Sequence, residues 1–241
     1  MFETFATVPA YPLVFPLFWG AVIVFGLAMA RHLRIFAVVR AEGPSPFSDI
    51  PRRTWGLFQY ALVQTRMFKD PRAGLMHFAI FWGFVLLTIG TANVVTGGLV
   101  QAIISWPIDG QLWTAVSVMQ NGVALITLAA VGYALFRRLV TRPRRLTLSP
   151  SALIILAMIG GVVGAELLAQ AFEAARFGDV RGAFVANVLA VPLRALGPGV
   201  DEAGFAGLWW AHIALVAAFL VYLPFSKHLH IVTSFFNIYF R

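Results

Sequence analysis

Cysteine is absent from the 241 residues, and charged side chains make up only 12% of them. The first absence excludes disulfides, thiolate-held zinc, covalent c-type haem attachment and any iron–sulfur cluster held by these residues alone. The second excludes a water-soluble globule, because a soluble domain carries about 25% charged residues. In their place stand 60% hydrophobic residues and a mean hydropathy of +0.82, the composition of a membrane protein. A basic n-region is also missing, so the opening residues, with Glu3 among them, do not read as a secretory signal peptide. No internal repeat or low-complexity tract stands out.

Crossing a hydrocarbon core takes roughly 20 helical residues at about 1.5 Å each. Five apolar stretches meet that length, near residues 11–30, 74–95, 112–136, 151–172 and 207–225. The runs are continuous rather than alternating, which argues for an all-α bundle and against a β-barrel. We expect one membrane domain over residues 1–241, with five transmembrane helices and interfacial helices between them. The first of these is an amphipathic segment from Arg52 to Asp70, where Trp55, Leu57, Phe58, Leu62, Val63 and Met67 recur at helical spacing. A second covers 180–196 and closes at Gly197.

Basic residues in short loops set orientation. The first inter-span loop holds Arg31, Arg34, Arg40, Arg52, Arg53, Arg66, Lys69 and Arg72; the third holds Arg137, Arg138, Arg142, Arg144 and Arg145; Lys227 and Arg241 follow the last span. The opposite loops hold only Arg176, Arg181 and Arg194 of the 18 basic residues. This asymmetry predicts an outside N-terminus and a cytoplasmic C-terminus in a multi-pass protein of a prokaryotic cell membrane. The net charge of +8 then reflects topology and not nucleic-acid binding.

All five histidines fall at span ends: His32, His77, His212, His228 and His230. On an ideal helix the 18 residues from His212 to His230 make five turns and about 27 Å of rise, so these two share a face near opposite leaflets. His228 is turned about 160° from His212 and points elsewhere unless Pro224 bends the helix. His77 and His230 fall at the same cytoplasmic depth on different helices. Two such imidazoles suit bis-histidine ligation of a b-type haem, which needs no cysteine. Interfacial histidines also serve as anchors or hydrogen-bonding residues, the reading that fits His32 and His228.

The run from Trp210 through His212 to Pro224, Phe225, Ser226, Lys227, His228 and His230 resembles the haem-bearing gamma subunit of respiratory nitrate reductases. The segments Arg66–Gly83 and 227–241 look like the membrane part of iron–sulfur oxidoreductases related to heterodisulfide reductase. That group includes enzymes proposed to pass electrons between electron-transferring flavoprotein and menaquinone. The resemblance implies a cytochrome b relaying electrons between a membrane quinone and a cytoplasmic, cysteine-rich iron–sulfur subunit or domain. It implies haem ligation by His77 and His230. It also implies a second haem at His212, but the position ten residues beyond His77, where the nitrate reductase subunit has its partner histidine, is Leu87. His212 then either uses another partner such as Met119, contacts quinone, or caps its helix. Candidate propionate or quinone contacts are Arg72, Lys227 and His228. Glu166, inside the fourth span, is a candidate for proton transfer. The rivals are a haem-free anchor for a soluble redox enzyme and a transporter.

Overall fold

The computed structural model describes residues 11–38, 45, 47–106, 108, 110–143 and 149–240. Residues 1–10, Arg40, Arg144, Arg145 and Arg241, some of which bear on orientation, lie outside the described residues. Every regular element among the described residues is helical. The long helices are α1 (Val14–Val38), α3 (Pro71–Val95), α5 (Gln111–Phe136), α6 (Pro150–Phe177) and α8 (Pro198–Tyr222). Shorter ones are α2 (Ile50–Leu57), α4 (Leu99–Ser105), α7 (Phe184–Leu193) and α9 (His230–Tyr239). Five helices are long and apolar enough to cross a membrane: Val14–Arg34, Pro71–Val95, Gln111–Thr141, Pro150–Phe177 and Gly199–Phe225.

Helix starts follow local chemistry. Asp70 accepts from the Ala73 N–H at 3.2 Å and Ser149 from the Ala152 N–H at 3.3 Å, each with proline at the next position. Gly197, at φ +86°, turns the chain so that Pro198 opens α8. The fifth span therefore begins about eight residues before the expected 207, because that proline-led turn is helical despite Asp201 and Glu202.

The Arg52–Asp70 segment is not the single amphipathic helix its periodicity suggests. It divides into α2, a π-helical turn at Phe58–Leu62 and a 3-10 turn at Thr65–Lys69, with Gln64 between the turns in the left-handed region at φ +55°. Tertiary contacts override the periodicity. The Trp82 indole donates to the Leu62 carbonyl at 3.1 Å, and a Cβ on Gly74 would stand 2.5 Å from the Met67 carbonyl oxygen. The segment is pressed against the first turns of α3 and leaves no room for a side chain at 74.

The bundle pairs α6 with α8 and α3 with α5, while α1 lies against α8 and α7 against α6. Val14, Ala169, Phe205, Trp209 and Ile213 fill the end where α1, α6 and α8 meet. Leu87, Ala124 and Val163 fill the middle, and Val131, Ala134 and Leu156 the other end. Small residues allow close approach, as membrane helices require in the absence of a hydrophobic drive between them. A Cβ on Gly83 would overlap the Thr127 hydroxyl. Large apolar side chains such as Leu27, Ile23 and Ile126 point outward, where lipid would cover them.

Candidate functional site

The α8 helix ends at Tyr222, passes through a 3-10 turn at Leu223–Phe225 and becomes extended at Ser226 (φ −108°, ψ 171°). The Ser226 hydroxyl then accepts from the His228 N–H at 3.1 Å, capping a second short turn, Lys227–Leu229, and α9 follows. His212 and His230 therefore do not lie on one continuous helix, and the five-turn relation between them does not apply. The break brings three histidines together instead. The His77 and His230 ring centroids are 6.3 Å apart with planes at 41°, and His228 is 5.4 Å from His230.

Each imidazole of the facing pair is held by its Nδ1. That of His230 donates to the Lys227 carbonyl at 2.7 Å, and that of His77 meets the Gln64 amide oxygen at 3.2 Å. Because both partners are oxygen acceptors, each Nδ1 carries a proton, so that in the neutral form of either ring the lone pair is on Nε2. Such second-shell bonds orient histidines that bind metals. Gln64, 5% exposed, is held by the strained left-handed backbone between two irregular turns. Sequence reasoning passes over Gln64, since nothing local marks a glutamine for φ > 0.

Around this trio stand cations. Burial, and after it repulsion from His230, His77 and Arg138, pushes the His228 imidazole down to about 4, so it is neutral at pH 7. Arg137 lies 3.9 Å from Asp70, the cap of α3. Arg72 and Lys227 are exposed at the same end of the bundle, near the starts of α3 and of the Lys227–Leu229 turn. Arg138, which the sequence assigns only to topology, is half-buried and acts as a charge on His228.

The opposite end differs. His212 is 8% exposed and sits well inside α8, with Nδ1 donating to the Val162 carbonyl at 2.9 Å. The residues around the adjacent cavity of about 80 Å³ include Gln120, Glu166 and Gln170 but not Met119. Leu87 is buried against Ala124 and Val163, and a carbon side chain there cannot ligate. Asn93 and Asn121 are structural. The Asn93 amide oxygen accepts from the Gln101 N–H at 2.7 Å, and Asn121 ties α5 to Gln170 at 3.1 Å and to the Ala186 N–H at 3.3 Å. His32 is exposed on α1. Among the described residues no group of three or more His, Cys, Asp or Glu converges on a metal position.

No family model and no solved structure matches the chain. Two curated proteins do. Over 183 residues, 74% of the chain, it is 29% identical to the probable iron-sulfur-binding oxidoreductase FadF of Bacillus subtilis, covering 25% of that protein. An alignment of 255 positions, over 98% of the chain, gives 28% identity to the EtfAB:quinone oxidoreductase of Syntrophomonas wolfei and covers 34% of it. The chain thus spans between about a quarter and a third of the length of the curated relatives it matches, and its similarity is to that part of two oxidoreductases.

Proposed function

We propose that the chain is the membrane part of a quinone-linked iron–sulfur oxidoreductase, binding one b-type haem between His77 and His230. It would carry electrons between a membrane quinone, menaquinone in the reading above, and a cysteine-rich iron–sulfur subunit or domain. Electron-transferring flavoprotein is the soluble partner that the name of one relative suggests. The observation that carries the reading is the facing imidazole pair with both Nδ1 atoms engaged.

His77 and His230 would hold the group, and their facing rings, with centroids 6.3 Å apart, support that reading. A haem also suits a site with two protein ligands, because the macrocycle supplies the other four nitrogens. When bound, it supplies a one-electron couple at iron. The chain's contribution is orientation and charge. Gln64 and the Lys227 carbonyl fix the rings; Arg138, Arg72 and Lys227 offer cationic partners for propionates; neutral His228 adds a polar contact.

Basic residues concentrate at this end, so we place it at the cytoplasmic face of a prokaryotic cell membrane, with the C-terminus inside and the N-terminus outside. A reduced-minus-oxidised spectrum with a pyridine haemochrome count tests the reading. One b-type haem per chain is expected, lost in His77→Ala and His230→Ala and kept in His32→Ala. Two haems would bring in His212 as a ligand. None, in protein made with ample haem, would leave a membrane anchor for a soluble redox enzyme.

A further inference from the structure

Away from the histidine trio, Glu166 on α6 forms part of the wall of two unlike cavities. One, of about 360 Å³, is lined mainly by apolar side chains such as Phe84, Leu87 and Phe219. The other, of about 80 Å³, is lined by Trp113, Gln120, Gln170, Glu173 and His212 as well as Glu166. Trp113 and Gln120 are 8% and 6% exposed, yet Trp113 Nε1 and Gln120 Nε2 have no acceptor among the described residues. Two buried donors at one cavity call for an oxygen that the protein does not supply.

Volume decides what that oxygen belongs to. About 10–15 Å³ suffices for one water, whereas organic ligands occupy pockets of about 300 Å³ and more. The small cavity therefore suits a few waters, and only the large one suits an organic ring. The polar side of α6 gives the water a direction. Glu166, Gln170 and Glu173 are spaced i, i+4, i+7 on one helix face and climb about 10 Å toward its end. Gln170 Nε2 stands 3.5 Å from Glu166 Oε1, and Glu173 is buried a turn further on. Asp201, 5% exposed on the first turn of α8, has an unpartnered Oδ1 at this same end.

The geometry points to a hydrated proton path: water in the small cavity links the Glu166 carboxyl, past Gln170 and Glu173, to the bundle end opposite His77 and His230. Glu166 thereby exchanges protons with an oxygen-bearing apolar ligand in the large cavity. Naming that ligand a quinone rests on the function proposed above; the water and the exchange do not.

Infrared difference spectroscopy on the full chain in lipid nanodiscs tests this, with Glu166→Gln identifying the Glu166 carboxyl band. On transfer to D2O the band should shift faster than the α6 backbone amides exchange. Filling the cavity with Ala169→Leu, or removing an orphan donor with Gln120→Leu, should slow the shift at least tenfold with the helical melt retained. Should Ala169→Leu fail to fold, Gln120→Leu decides alone. A missing band, exchange no faster than the backbone, or unchanged rates in the folded variants would overturn the path. A haem-free protein would sink the proposed function and leave this result standing.

Discussion

Gln64 tests whether the histidine pair is a tuned ligand set or a packing accident. Its amide oxygen is 3.2 Å from His77 Nδ1, and its backbone sits at φ +55°. Removing an outer-shell partner of a metal-bound histidine costs about 10–100-fold in affinity, or about 1.4–2.7 kcal/mol. Left-handed backbone costs a non-glycine residue about 1–2 kcal/mol. Three substitutions separate these effects. Gln64→Leu loses the acceptor and keeps the strain, so haem retention should fall by the full 10–100-fold. Gln64→Gly loses the acceptor but relieves the strain, so the protein should melt no lower than wild type while haem retention still falls. Gln64→Glu keeps an acceptor and adds charge, making His77 more basic; haem should stay and the midpoint potential should drop. A tenfold change in the ratio of oxidised to reduced affinity moves a one-electron couple by about 59 mV. Haem transfer to a competing apoprotein and redox titration read both quantities. Wild-type retention and potential in Gln64→Leu and Gln64→Gly would refute the reasoning, as would haem loss in Gln64→Glu equal to that in Gln64→Leu.

Other outcomes follow from packing and topology. Gly83→Ala should destabilise the α3–α5 contact by about 1–3 kcal/mol, and Thr127→Ala in the same chain should restore much of it, since the clash is with the Thr127 side chain; thermal melts in detergent report both. Asn121→Leu strands the Ala186 N–H and the Gln170 amide oxygen and should cost about 1–3 kcal/mol in the same melts. A wild-type melt would refute the assignment. Because these 241 residues hold no cysteine, a single cysteine placed in them reports sidedness. Arg52→Cys should react with an impermeant maleimide only after the cells are opened, and Arg181→Cys in intact cells; the reverse pattern would invert the proposed orientation.

The five long helices were legible because hydropathy and length are additive over 20 residues, so errors at one position do not move the result. Boundaries were less so, since Pro198 opens a helix about nine residues before the apolar run that begins near 207. The histidines show the sharper distinction. The expectation that His77 and His230 lie at one depth rested on topology, which survives local irregularity, and the two rings face each other. The expectation that His212 and His230 share a face, with His228 turned away, rested on unbroken 100° steps, and the chain leaves the helix at Leu223. Pro224 was the signal for that break, but its effect depends on Ser226, whose hydroxyl caps the following turn and redirects His228 toward its neighbours. Gln64 had no comparable signal. Its left-handed backbone opposes its own propensity and is held by Trp82 and by the close approach at Gly74, both from another helix. The depth of a residue is thus set by the spans that carry it, and could be read from the sequence. The orientation of its side chain is set by contacts between elements, and needed the fold.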